Sequence, residues 1–440
     1  MTATASPTRA AYRDLNVLRW MAGLFLSLLG DQVFFIALAW TATQVASPAV
    51  AGLVVAAGAV PRAALMLGGG ALADRAGPRR AALVSDAART AVMLAVAALL
   101  LLEQPSAAVL ITLAVAFGIV DAVFIPAVGA MPAVLVAPDE LTRVTAMRQV
   151  VHRATAVAGA PLAGWLIATT SLSVVYLVCA GLFAVSVAAL TATRTRPRPS
   201  PTTGPVATED VGQHERPAGH EPEAASPTGA RPTARQLVDD VTAGLRYVRG
   251  HQLLLPLLVL TAVAELGFAG AINVGLPLLA DASGWGPQGV GWTLGAWGAA
   301  AALASVVLTL TGSPRRAGLA GLCCLPVMGL ALAGIALAPD LETAVVAAAF
   351  LGLGSGIIAP VFGGLTLAAA DPDQVGRVMS VASLASLGGA PLAYAATGVL
   401  VDLTTPATPF LLGGAFVTAT GLAALGSRAI RTARRDAATT

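Results

Sequence analysis

This chain of 440 residues carries little charge. Charged residues make up 11% of it, hydrophobic residues make up 56%, and the mean hydropathy is +0.79. A soluble globular domain carries about 25% charged residues. The composition therefore excludes a soluble globular protein and predicts an integral membrane protein. Lysine is absent, so all 26 basic residues are Arg. The net charge of +3 is small, and it indicates membrane topology rather than a nucleic-acid partner.

The residues that catalysis and metal binding need are also scarce. The three cysteines, Cys179, Cys323 and Cys324, lie in apolar runs and predict no disulfide framework. The four histidines show no paired spacing with Cys that would hold a metal. Neither a Gly-rich phosphate cradle nor a Ser-His-Asp constellation is present. We therefore expect neither an enzyme nor an ATP-driven pump, and no cofactor and no metal.

Long apolar runs fill most of the chain instead. An apolar run of about 20 residues spans the hydrocarbon as a helix. Twelve such runs occur, at 17–41, 49–72, 81–102, 107–130, 148–168, 173–193, 253–280, 289–311, 317–337, 343–368, 378–401 and 408–427. The sequence therefore predicts an all-α integral membrane protein with twelve transmembrane helices.

Arginine is distributed unevenly between the two sides of these predicted helices. The alternate connections and both ends of the chain hold nearly all of it, whereas six opposite loops hold none: 42–48, 103–106, 169–172, 281–288, 338–342 and 402–407. Because cytoplasmic loops carry the excess of positive charge, we expect both termini in the cytoplasm of a multi-pass protein of the cell (inner or cytoplasmic) membrane. We expect a monomer in the lipid bilayer.

The centre of the chain has a different composition. Residues 194–235 are rich in Pro, Thr and Gly and have almost no large apolar side chains, which predicts a disordered cytoplasmic linker. In 236–252 an apolar stripe predicts an amphipathic helix that lies on the membrane surface or, alternatively, packs against the second half. The predicted order is a six-helix bundle, the linker, this helix, a second six-helix bundle and a tail, at 1–193, 194–235, 236–252, 253–427 and 428–440.

The two predicted bundles are faint copies of each other, displaced by 234 positions. APDELTRV at 137–144 recurs as DPDQVGRV at 371–378, and Pro126 recurs as Pro360. The same displacement carries Asp31 onto Glu265, each an acid inside a long apolar run. Two similar halves that each place a carboxylate in the bilayer are typical of a secondary transporter with its site between the repeats.

The loop after the second run, GGGALADRAGPRR, resembles motif A of the major facilitator superfamily. Its residues are Gly70, Asp74, Arg75, Gly77, Arg79 and Arg80. Glycine permits a tight reversal there, and cations next to an acid can bind neighbouring helix ends. The resemblance implies two pseudo-symmetric six-helix bundles and a gating role for this loop, to which we assign Asp86 and Arg89 of the next helix as well.

Further segments resemble the drug:proton antiporter-3 branch, which includes macrolide and enterobactin exporters. They are SLLGDQVFFIALAW, LVSDAART, PDELTRVTAMRQ, GRVMS and GIVDAVFIPAVGA. GAPLAG, with Gly159, Pro161 and Gly164, resembles a degenerate antiporter motif C, and GGAPLA repeats it with Gly389 and Pro391. Small residues in these motifs also predict close helix packing without a transport role.

Charges inside the predicted helices are the candidate site residues, because a charge at bilayer depth is costly and faces a cavity or a partner. Asp31 and Glu265 are candidates for proton coupling. Arg62 lies at a depth similar to that of Asp31, and we expect the two to pair, which would leave Glu265 to carry the proton and Asp31 to orient the substrate. Asp121 either lines the cavity or reaches toward Arg75, Arg79 and Arg89. We expect His152 and Arg153 to extend to the interface.

The neighbours of these acids suggest the substrate. The candidate binding residues are Asp31, Arg62, Asp121, Phe34, Phe35, Phe268 and Asn273. Aromatic surface with few polar groups suits an amphipathic organic ligand better than a sugar. We expect alternating-access export of drugs, secondary metabolites or siderophores, driven by protons. The alternatives are export of a lipid-like substrate and a membrane sensor that has lost transport.

Overall fold

The computed structural model describes residues 13–102, 105–195, 234–312, 314 and 316–433, apart from the side chains of 66–75, 138, 234–241, 387 and 429. The described chain is helical. The first half contains α1 to α6: Leu15–Val45, Pro48–Ala76, Pro78–Leu102, Ala107–Leu135, Leu141–Thr169 and Leu172–Ala192. The second half contains α8 to α15: Leu254–Gly270, Leu276–Ala282, Gly286–Thr311, Ala317–Ala336, Leu341–Ala369, Val375–Leu387, Ala390–Leu403 and Thr408–Ala424. Between the halves lies α7, Ala234–Gly250, and α16, Arg428–Arg431, follows the last span.

Within the described residues, 11 helices are long and apolar enough to cross a membrane, and the 17-residue α15 is the twelfth. Two of these spans are interrupted. A π-helical turn, Ala271–Gly275, joins α8 to α9, and two glycines, Gly388 and Gly389, separate α13 from α14. The predicted all-α architecture of twelve spans is confirmed. The predicted run 148–168 is shorter than α5, because the polar turns before it are also helical.

The internal repeat is visible in the helix boundaries. Leu341–Ala369 begins and ends 234 residues after Ala107–Leu135, and the span Val375–Leu403 stands in the same relation to Leu141–Thr169. Pro126 and Pro360 occupy equivalent positions inside α4 and α12. A shared displacement of whole helices shows that the similarity of short motifs reflects two copies of one six-helix unit.

Polar side chains fix where several of these apolar helices begin. The N-cap carboxylates of Asp14 and Asp340 each accept a hydrogen bond of 2.8 Å from a backbone N–H of the first turn, and Ser106 and Ser171 cap α4 and α6 in the same way. The first N–H groups of a helix have no partner within it. These caps therefore set the start of each span at the membrane surface.

The described part of α7 packs against the second half. Val248 is buried with Leu254, Leu258, Val378 and Val381. The Tyr247 hydroxyl donates to the Asp371 carboxylate at 2.9 Å. This packing is the alternative that the sequence left open, whereas a position on the membrane surface stays a prediction. Most of the predicted linker, 196–233, lies outside the described residues.

In the described part of the chain, the two halves pack against each other at one end of the bundle. There α2 packs against α14, and α5 packs against α10. A Cβ on Gly398 would lie 2.5 Å from the carbonyl oxygen of Pro48 and 2.9 Å from the Cα of Gly52. The Gln44 side chain also donates to Asp281 across the halves at 2.9 Å. The arginine-free loops lie at this closed end. The helices can approach so closely there because the residues at the crossing are glycines, which have no side chain.

We predict that Gly398→Leu opens the closed end, because the added atoms cannot fit between α2 and α14. Spin labels at positions 47 and 405 of a cysteine-free background should show a longer distance in the variant. Gly129→Leu is the matched control, since a Cβ at Gly129 meets nothing within 4 Å. An unchanged distance distribution in Gly398→Leu would show that this glycine contact does not hold the end closed.

Candidate functional site

A buried ionic cluster lies inside the first half, with Arg89 of α3 at its centre. Its members are Asp31, Arg62, Asp86, Arg89 and Asp121, which we call the Arg89 cluster. The Arg89 side chain is 0% exposed. Its Nη1 lies 3.2 Å from Asp31 Oδ1 and 3.4 Å from Asp86 Oδ1, and its Nη2 contacts Asp121 Oδ1. One guanidinium therefore joins carboxylates from α1, α3 and α4.

Aromatic rings surround the same guanidinium. The Arg89 Cζ lies 4.0 Å from the ring centroid of Phe124, 5.3 Å from that of Phe117 and 5.5 Å from that of Phe183. The negative face of an aromatic ring attracts a cation, most strongly where water is excluded. The rings and the three carboxylates together compensate a charge that the bilayer interior would otherwise oppose.

Asp86 is the most completely bonded acid of the cluster. It accepts hydrogen bonds from the hydroxyl of Ser27 at 2.9 Å and from that of Ser186 at 2.6 Å, in addition to its contact with Arg89. These donors satisfy a carboxylate that has been removed from water. The hydroxyls also connect α1 and α6 to the cluster.

Arg62 joins the cluster from the cavity side. Its Nε lies 2.8 Å from Asp121 Oδ2, and its side chain is 38% exposed. The expected Asp31–Arg62 pair is therefore wrong, because Arg62 bonds Asp121 while Asp31 bonds Arg89. Asp121 does reach Arg89, one of the two alternatives, and it is buried rather than part of the cavity wall.

A cavity of about 600 Å³ lies between the halves, next to the closed end. Six of the seven predicted binding residues line it: Asp31, Phe34, Phe35, Arg62, Phe268 and Asn273. Asp31 exposes only 12% of its side chain there. Asp31 and Arg62 belong both to the cavity wall and to the Arg89 cluster. A ligand that contacts either side chain therefore acts directly on the buried charges.

Sequence reasoning missed part of the cavity wall. The structure adds Gln32, Gln149, His152, Arg153, Trp297 and Tyr394. His152 and Arg153, expected at the interface, face the cavity. The spacing of 149, 152, 153, 156 and 160 along α5 was the available signal, since these positions share one helix face. The rings of Trp297 and Phe268 lie 5.3 Å apart and cover the wall of the second half.

Glu265 does not line this cavity. It lies on the same face of α8 as Phe268 and Ile272, three residues nearer the start of the helix, which is about 4.5 Å along the axis. It is exposed on the side away from the closed end. Among the described residues, no hydrogen bond or ion pair of its carboxylate is present. Glu265 therefore lies outside the cavity wall, within electrostatic range of the cavity residue Tyr394.

The described residues of the motif A loop bind the end of α6. Gly77 has φ +83° and ends α2, so a side chain there would be strained. Arg79 donates to the carbonyl oxygens of Leu190 at 3.0 Å and Thr191 at 2.7 Å, and Arg80 is exposed. A cation at the end of a helix satisfies its last carbonyls. Gly70 and the side chains of Asp74 and Arg75 lie outside the described part, so their gating role stays a prediction.

The antiporter-like motif of α5 contacts both halves. A Cβ on Gly159 would lie 2.7 Å from Gln32 Cβ, and one on Gly164 would lie 2.6 Å from the carbonyl oxygen of Pro287 in α10. Pro161 lies against Gly295 of the same helix. In the second copy, Gly389 lies against Leu266, and Pro391 starts α14. Small residues therefore bring α5 close to the opposite half, where a packing role accounts for them.

The comparison with known families agrees with this geometry. A family model described as the Major Facilitator Superfamily matches residues 20–313, well over half of the chain. The chain belongs to the major facilitator superfamily. No curated protein gives a significant sequence match.

Solved structures of other facilitators show the same fold at low identity. A nucleoside transporter has 11% identity and a TM-score of 0.66, with 94% of this chain and 100% of that chain covered. A D-xylose-proton symporter has 12% identity and a TM-score of 0.67, with 96% and 98% covered. A peptide transporter in complex with sulfate has 15% identity and a TM-score of 0.63, with 94% and 96% covered. This facilitator therefore has a secondary-transporter fold over nearly its whole length.

We predict that Arg89→Met strongly destabilises the protein. Removing one partner from a buried ionic group costs about 3–5 kcal/mol, and here three carboxylates lose their shared cation. The melting temperature of the purified protein should fall clearly below that of Arg246→Met, a change at an exposed residue of α7. Equal melting temperatures for the two variants would contradict a structural role of the cluster.

Proposed function

We propose that this facilitator exports small amphipathic molecules across the cell membrane by alternating access, in exchange for protons. The observation that carries the proposal is the cavity between the halves, whose largely apolar wall contains Asp31 of the ionic cluster. The motif resemblance to the drug:proton antiporter-3 branch supports the direction of transport. We propose that the protein works as a monomer.

The cavity favours an amphipathic ligand over a sugar or a nucleoside. Its volume of about 600 Å³ lies within the range of about 300–1,000 Å³ for sites that take drug-sized molecules. Aromatic and aliphatic side chains form much of the wall, with polar groups concentrated on α1, α2 and α5. A ligand with many hydroxyls would leave several of them without partners, at a cost for each buried group.

The distribution of arginine supports an assignment of the two ends. If the arginine-rich connections and both termini are cytoplasmic, the closed end faces outward and the cavity opens to the cytoplasm. A ligand would then enter from the cytoplasm, and a rocking movement that separates α2 from α14 and α5 from α10 would release it outside. The glycines hold the helix backbones close together at the closed end. Such an interface between the halves can form and break in one step.

The two candidate carboxylates differ in their partners, which supports different roles. Asp31 is held by the Arg89 guanidinium, whose Nη1 lies 3.2 Å from its Oδ1. Glu265 has no such partner among the described residues and lies outside the cavity wall. We therefore propose Glu265 as the group that loads and releases the proton, with Asp31 orienting the substrate at the cavity wall.

We predict that Glu265→Gln abolishes uphill, pH-driven transport while it leaves downhill exchange intact, because the amide cannot carry a proton. The measurement is flux into proteoliposomes with and without an imposed pH gradient, for an amphipathic dye that stabilises the purified protein in a melting screen. Glu342→Gln, at the closed-end start of α12, is the matched control. If Glu265→Gln still concentrates the dye as the parent does, this assignment is refuted. If the parent moves no screened compound, the proposed function is refuted.

A further inference from the structure

The cavity wall on the side of α2 and α5 is basic. Arg62, His152 and Arg153 all line the cavity. Three guanidinium groups, those of Arg62, Arg148 and Arg153, lie within electrostatic range of the His152 imidazole. Like charges brought together in this way repel one another. A bound anion would relieve that repulsion, whereas a bound cation would increase it.

Arg62 is held in one orientation with donors to spare. Its Nε is fixed by Asp121 at 2.8 Å, and its guanidinium carbon lies 5.4 Å from the ring centroid of Phe35. In the described part of the chain, no residue accepts a hydrogen bond from either of its Nη groups. A guanidinium is a planar fork that binds oxyanions through two parallel N–H bonds. The exposed edge of Arg62 is therefore a preorganised receptor for an oxyanion.

The acids nearby do not cancel this positive surface. Asp31 is the carboxylate on the described cavity wall, but it is 12% exposed and faces Arg89. Glu265 lies on the facing half, outside the wall. Within the described ranges, neither Arg148 nor Arg153 pairs with a carboxylate, and Arg148 Nε is buried without a hydrogen-bond partner. A ligand in the cavity therefore meets Arg153, which has no carboxylate partner among the described residues, and the free edge of the Arg62 guanidinium.

We infer that the cavity binds an amphipathic anion, with a carboxylate or a similar oxyanion on the free edge of Arg62 and an apolar body against Phe268 and Trp297. Arg153, on the α5 part of the same wall, would be the second cation of the site. This inference rests on the proposed transport cavity and specifies its substrate class. It concerns the charge of the ligand, gives the orienting role to Arg62 in place of Asp31, and holds whichever way protons move.

Three probes of one shape test the charge of the ligand. They are naphthalene-2-acetate, its neutral amide, and the cationic 2-(naphthalen-2-yl)ethylammonium. Equilibrium binding to the full chain in phosphatidylcholine nanodiscs at neutral pH should favour the anion over the cation by about tenfold or more, because a charge-assisted bond to arginine is available only to the anion. Equal affinities for the three probes, or a preference for the cation, would overturn the inference.

Arginine variants locate the site. Arg62→Gln and Arg153→Gln should each weaken binding of the anion several-fold and leave binding of the amide unchanged, whereas Arg246→Gln on α7 should change neither. Arg153→Gln keeps the test decisive if loss of the Asp121 partner prevents Arg62→Gln from folding. An anion affinity that Arg153→Gln leaves unaltered would overturn the assignment of this wall.

Flux separates this inference from the proposed function. If the anion binds selectively but does not cross proteoliposomes that contain the protein, the proposed transport fails and the binding site stands. If the amide and the cation cross as readily as the anion, transport stands and the inference fails.

Discussion

The burial of one arginine constrains the whole first half. Arg89 is fully buried, and removing a guanidinium from water is tolerable only if its charge is compensated. The satisfying groups come from α1, α3 and α4 directly, from α2 through Arg62, and from α6 through Ser186. None of these helices can shift far without leaving a charge uncompensated. The ionic cluster therefore makes the first half behave as one body.

The described part of the second half contains no such cluster, although it repeats the same fold. The 234-residue displacement carries Arg62, Asp86, Arg89 and Asp121 onto Ala296, Ala320, Cys323 and Ser355. Only Asp31 keeps an acid, Glu265, at the displaced position. The same architecture thus stabilises one half with buried charge and the other with apolar packing, which isolates Glu265. A carboxylate without fixed partners is free to exchange a proton, whereas one within a network is constrained by its neighbours.

The fold could be read from the sequence more completely than the site could. Hydropathy, the arginine-free loops and the repeat each depend on local composition, so they gave the spans and their pairing. The partners of Asp31 could not be obtained in this way. Arg62 and Arg89 lie at similar depth on neighbouring helices, and the rotation of each helix about its axis decides which one reaches Asp31. That rotation follows from packing across the bundle, as at Gly159 against Gln32, which single-sequence periodicity does not contain.

The interruptions of regular helix are also confined to the second half. The π-helical turn Ala271–Gly275 lies where α1 is continuous, and the break at Gly388 and Gly389 lies where α5 is continuous. In the π turn, Asn273 faces the cavity and donates to the carbonyl oxygen of Ala269 at 2.9 Å, which satisfies a group beside the irregular turn. Such turns cost stability and concentrate at functional sites. Because the ionic cluster links five helices of the first half, we expect a change of shape around a ligand to involve these turns. They lie beside the cavity and at the junction with α14, the helix that closes the bundle.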